Sequence, residues 1–86
     1  MPGYHKAIIP NGYLGEFSKI EEEFAEAKDA LNQDNPIMVL LELSDMVGAI
    51  ESYCKKKHNV SLQQLLNMKD ATGRAFDEGV RKSKVQ

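Results

Sequence analysis

The stretch "PIMVLLELSDMVGAI", Pro36 to Ile50, constrains the fold more than any other part of the chain. Nearly every residue in it suits a core, yet Glu42 and Asp45 stand in its middle, three positions apart. On a helix turning about 100° per residue, the two acids share a sector with Met38, Met46 and Ala49. Ile37, Leu40, Leu43, Val47 and Ile50 occupy the opposite sector. A helix that is apolar nearly all round has to be buried on most sides, so the acids have no easy route to bulk water. An isolated buried carboxylate costs on the order of several kcal/mol. Glu42 and Asp45 therefore need compensation, either from Lys or Arg of another helix or subunit, or from a metal ion.

The flanking pattern is helical too. Phe17, Ile20, Phe24, Ala27 and Leu31 recur at three- and four-residue steps, which predicts a first helix from Glu16, ended by Gln33-Asp34-Asn35. Asn35 reads as an N-cap with Pro36 at the first helical position. The second helix runs to about Lys57, roughly 30 Å, with a break at His58-Asn59. Ser61 and Gln64 fit a capping box for a third helix. Leu62, Leu65, Leu66, Lys69, Thr72 and Phe76 lie along one side of it, and it fades near Gly79.

Residues 1–15, with their prolines and glycines, read as an irregular arm with a turn at Pro10-Asn11-Gly12. No segment reads as a strand. Short connections make neighbouring helices antiparallel. The expected fold is all-α: a small antiparallel bundle of three main helices over residues 16–80, an arm over 1–15 and a tail over 81–86.

A chain of 86 residues buries a limited core and often needs help from disulfides, metals or oligomerisation. Cys54 is the only cysteine, so an internal disulfide is excluded. The apolar excess of helix two predicts a homodimer or homotetramer. A net charge of −2 with mixed signs gives no reason to expect nucleic-acid binding; Lys55–His58 and Arg81–Lys84 read as solvated helix ends. No run reaches the ~20 apolar residues of a membrane span. The start of the sequence lacks the pattern of a secretory signal, and with a lone cysteine the expectation is cytoplasmic.

The acids of the first helix are in phase with those of the second. Glu23 lies about 75° from the centre of the Phe17/Ile20 stripe, and Glu26 about 60° beyond it. Glu22 and Glu26 form an i, i+4 pair that repels unless a cation lies between them. Antiparallel packing through the Asn32–Asn35 link sets Glu23 and Glu26 opposite Glu42 and Asp45. Four carboxylates carry too much negative charge for a dry site. Hard divalent cations with oxygen ligands compensate it, and magnesium keeps waters and phosphate oxygens in its shell. Glu21 and Asp29 read as solvated helix face.

The spacing also resembles a known pattern. "EEFAE", Glu22 to Glu26, followed after 15 intervening residues by "ELSD", Glu42 to Asp45, is similar to the EExxE…ExxD motif of the MazG-like all-α nucleotide pyrophosphohydrolases. "MVGAIESY" and "MKDATGRAFDEGVRKS" resemble the single-domain, often phage-encoded, branch. The resemblance runs from about Gly12 to Ser83. It implies a helical bundle that oligomerises. It also implies magnesium-dependent cleavage, with manganese as an alternative ion, of a nucleoside triphosphate to the monophosphate and pyrophosphate. By carry-over, Glu23, Glu26, Glu42 and Asp45 are metal ligands, and Glu22 is a further ligand or activates water. Glu22 and Glu23 are thus the candidate catalytic residues.

Substrate phosphates also call for cations, and Lys69, Arg74 and Arg81 are the candidates, with ordinary salt bridges as the alternative. Tyr4, His5 and Lys6 reach a neighbouring subunit's nucleotide or, more simply, are loose terminal residues. Cys54 reads as a small packing residue and His58 as a contact at a helix C-terminus. Two other functions use the same acids. One is a phosphoribosyl-ATP pyrophosphohydrolase, and the other is a metal-stabilised helical interaction module without turnover.

Overall fold

The computed structural model describes residues 5–77, with side-chain surroundings given through residue 73. Three helices follow in order: α1 over Phe17–Asn32, α2 over Pro36–His58 and α3 over Leu62–Asp77. No strand occurs among the described residues. The fold is all-α, a small helical bundle. The tail from residue 81, and the expected fading of α3 at Gly79, lie outside the described residues.

The helix ends sit where the local chemistry puts them. Asn35 Oδ1 accepts the Met38 amide at 3.2 Å, and Pro36 opens α2. At the other end Asn59 adopts the left-handed conformation, φ 55°. The Val60 amide returns to the Cys54 carbonyl at 3.1 Å and the Asn59 amide to Lys55 at 3.2 Å, which satisfies carbonyls the helix leaves open. Ser61 and Gln64 form the reciprocal box: the Gln64 amide donates to Ser61 Oγ at 3.1 Å and the Ser61 amide to Gln64 Oε1 at 2.8 Å. The helix starts and breaks read from sequence hold to within a residue or so.

α1 and α2 form an antiparallel pair. Glu16, just before α1, meets Lys56 at 3.3 Å and Lys57 at 3.1 Å near the end of α2. The two lysines hold the Glu16 carboxyl below its ordinary range, Lys57 foremost. The seam between the helices is made of small and acidic residues. Ala27, Ala30 and Ala49 are its buried apolar members, and Glu23 and Glu42 are buried with them. Glu42 is the largest fully buried side chain described. α3 packs only on α2; among the described residues it does not meet α1.

Two sequence expectations are corrected here. The stripe Phe17–Phe24–Leu31 does not form the seam; these residues are 55%, 55% and 64% exposed, and Phe17 meets α2 only at its far end, edge-on to Tyr53 with ring centroids 5.3 Å apart. Short side chains let the helices approach, so the seam follows Glu23–Ala27–Ala30 and the large residues are turned to the flank. The turn in the arm is also displaced. It closes at Tyr13–Glu16, where the Glu16 amide donates to Tyr13 O at 2.9 Å and Gly15 takes φ 90°, a value that glycine adopts freely. Gly12 lies instead against the first turn of α1, where a Cβ would fall on the Ser18 carbonyl.

Outside the seam, a single chain leaves much apolar surface uncovered. Ile37, Leu40 and Val47 on α2 are exposed, as is Met68 on α3. No helix among the described residues is long and apolar enough to cross a membrane.

Candidate metal centre

The seam gathers the acids predicted from the sequence. Glu23 comes from the buried line of α1 and Glu42 from the buried line of α2; Asp45, one turn further along α2, is exposed and not cut off from water as its apolar neighbours predict. One carboxylate oxygen from each of Glu23, Glu42 and Asp45 lies within 4.8 Å of the others. Glu22, Glu23 and Glu26 form a second such group, and His5, Glu26 and Glu42 a third. Glu23, Glu26 and Glu42 each belong to two of the three groups, so these form one continuous centre.

Its electrostatics are strained in a specific way. Burial pushes the Glu26 carboxyl up, and hydrogen bonding to Glu42 together with the charges of Glu23, Glu42 and Glu22 raises it further, to about 7. Like charges at close range cannot all ionise without compensation. Glu22 behaves differently. Burial pushes it up, but the Gly12 amide at 2.7 Å and Lys19 Nζ at 3.1 Å outweigh burial and hold it below its ordinary range. Lys19 also reaches Glu23 Oε2 at 3.3 Å. The carboxylates hold the Lys19 ammonium above its usual value, Glu22 foremost. One lysine is too little for this much acid. Glu23 Oε1 is buried with no hydrogen-bond partner among the described residues. A hard divalent cation fits this donor set, which is oxygen-rich and short of positive charge.

Two residues read as peripheral belong to the centre, and both are corrections. Asp29 is no solvated surface acid; it is 6% exposed. It accepts from His5 Nδ1 at 2.9 Å, the Lys6 amide at 2.9 Å, the Ala7 amide at 3.1 Å and Gln33 Nε2 at 2.8 Å. Burial pushes its carboxyl up, but these donors, His5 foremost, bring it below its ordinary range. His5 is no loose terminal residue; its Nε2 lies 3.2 Å from Glu42 Oε2 and 3.8 Å from Glu26 Oε1. One sequence signal pointed to Asp29: it continues the Glu22–Glu26 row at i+7. Nothing local announced that the arm would fold back. Tyr4 lies outside the described residues.

No protein-family model, no curated protein and no solved structure matches the chain. Lys69 is exposed and pairs with its neighbour Asp70 at 2.8 Å. The Arg74 side chain and all of Arg81 lie outside the described residues. Glu21 is exposed, as a solvated face requires. His58 Nε2 meets Tyr53 Oη at 3.2 Å, and Cys54 is a half-buried free thiol.

Proposed function

We propose that this chain is a magnesium-dependent nucleotide pyrophosphohydrolase, cleaving a nucleoside triphosphate to the monophosphate and pyrophosphate. One observation carries the reading: buried Glu23 and Glu42 and exposed Asp45, drawn from two helices, bring carboxylate oxygens to within 4.8 Å of one another at the edge of the seam. Acids so placed suit a cation, and the row EEFAE…ELSD that supplies them resembles the MazG-like motif.

Glu23, Glu26, Glu42 and Asp45 would hold the ion, magnesium or manganese. When bound, such an ion neutralises phosphate charge and makes water a stronger nucleophile at neutral pH. The chain's own residues do the rest. Glu22, kept ionised by Lys19 and the Gly12 amide, serves as a further ligand or accepts a proton from the attacking water. Lys19 keeps the α1 carboxylates oriented. The alanine seam excludes bulk water from Glu42. In the oligomer, a homodimer or homotetramer, the exposed apolar faces of α2 and α3 would be covered, which brings a neighbour close to the centre.

Pyrophosphate release from a panel of nucleoside triphosphates, with and without magnesium, tests the reading. Turnover that needs the ion is expected, and the preferred member of the panel names the substrate. Strong preference for phosphoribosyl-ATP would move the assignment to that related enzyme. Metal binding without turnover on any member would leave a helical interaction module.

A further inference from the structure

The arm brings a nitrogen donor to a centre otherwise made of oxygens. The His5 side chain is nine-tenths buried, at 10% exposure. Its Nδ1 lies 2.9 Å from Asp29 Oδ2, and Asp29 is itself fixed by the Lys6 and Ala7 amides and by Gln33. An ionised carboxylate only accepts hydrogen bonds, so Nδ1 donates to Asp29 and, without an ion, Nε2 donates to Glu42 Oε2 at 3.2 Å. Nε2 also lies 3.8 Å from Glu26 Oε1, and a cation held between these two carboxylates would take the place of the Nε2 proton. A carboxylate gripping one ring nitrogen while the other faces a ligand set is how proteins orient a metal-binding histidine.

The spacing agrees. Around a six-coordinate ion with bonds of about 2.1 Å, adjacent donors lie about 3 Å apart and opposite donors about 4.2 Å apart. Both distances from Nε2 fall near that range. An independent observation points to an ion at the same centre: Glu23 is 6% exposed, and its buried Oε1 meets no partner among the described residues.

We propose that His5 Nε2 is a ligand of the cation centre beside Glu26 and Glu42, with Asp29 as the positioning residue that holds its ring. The proposal rests on the centre binding metal, and is independent of which nucleotide is cleaved. An imidazole among carboxylates tilts the centre from magnesium, which favours all-oxygen shells, towards first-row transition ions.

Pulsed electron paramagnetic resonance of manganese(II) added to the full chain tests this directly. The wild type is expected to show the nitrogen modulation of a coordinated imidazole. His58→Gln should keep it, since His58 is the only other histidine and pairs with Tyr53. His5→Ala should lose it, with helical content unchanged by circular dichroism. Asp29→Asn should weaken manganese binding by roughly tenfold, the lower end of losses on removing a carboxylate behind a metal-binding histidine. Manganese bound in the wild type with oxygen donors alone would overturn the His5 assignment and leave the carboxylate centre standing. No manganese bound at millimolar concentration would overturn both.

Discussion

Asp29 grips His5 across 24 residues of chain, with Oδ2 2.9 Å from Nδ1. This contact, with the Lys6 and Ala7 amides donating to the same carboxylate, turns an arm without regular structure into part of the helix seam. The first prediction concerns that link. Asp29→Asn removes the charge that three donors of the arm share, so the arm should come away from α1. Hydrogen exchange at the Lys6 and Ala7 amides should become as fast as in unprotected chain, and the thermal midpoint should fall. Asp34→Asn, at an exposed turn position, should change neither. Unchanged exchange at Lys6 and Ala7 in the Asp29 variant would refute the link.

The same residue shows where sequence reading stops. The helix starts were legible because each rests on contacts within a few residues, such as Asn35 with Met38 or Ser61 with Gln64. Glu42 was legible because an acid in an apolar helix is conspicuous. Asp29's role was not, because its three partners in the arm lie 22 to 24 positions away in a segment with no periodicity. The stripe on α1 misled for another reason. Hydropathy ranks Phe17 and Phe24 above Ala27 and Ala30, whereas close helix approach at this seam uses the alanines.

The second prediction follows from the uncovered surface. Ile37 at 76% and Leu40 at 68% exposure on one helix are costly in water at roughly 25 cal/mol per Å² of apolar area. Patches of this kind mark interfaces. Sedimentation equilibrium at micromolar concentration should give twice or four times the chain mass, and Leu40→Arg should reduce it towards that of one chain. A wild type that sediments as a single chain would remove the oligomer from the proposal.

The third prediction is a pH dependence with opposite signs in the metal-free and metal-bound protein. Glu26 is raised from 4.5 to about 7, by burial first and then by its acidic neighbours. The folded state therefore holds a proton that the unfolded state has released. This contribution is fully present below pH 4.5, shrinks as pH rises, and is gone above about 7. Metal-free protein should lose thermal stability between about pH 5 and 7.5 on this account. A cation must displace that proton, so affinity for manganese should climb over the same interval. Glu26→Gln should flatten both trends. Calorimetric titration and thermal melts at matched ionic strength check them together.

The fourth prediction concerns stabilisation by the ion. Magnesium or manganese binds the folded centre and not the unfolded chain, which stabilises by about 2.7 kcal/mol at a hundredfold excess over Kd. The thermal midpoint should rise accordingly. Glu42→Gln should abolish the response, because Glu42 is fully buried and belongs to both groups of donors that join α1 to α2 or the arm. A midpoint indifferent to millimolar amounts of either ion would sink the centre.

The last prediction separates acids that act from acids that are merely nearby. Glu23→Gln and Asp45→Asn each remove a donor from the group shared with Glu42. If the proposed hydrolysis holds, each should reduce pyrophosphate release by orders of magnitude, since neutralising phosphate charge is the main catalytic device. Glu21→Gln is the neutral control: Glu21 lies in the same acidic run but is exposed, and an exposed charge contributes little. Asp29 cannot serve as that control, because it anchors the arm. Its variant should show an intermediate loss, through a displaced His5 and not through a missing carboxylate donor. Steady-state release by each purified variant, measured after its helical content is verified, gives the order. Equal losses in Glu21→Gln and Asp45→Asn would mean that net charge alone matters. Full activity in Asp45→Asn would remove α2's second acid from the site.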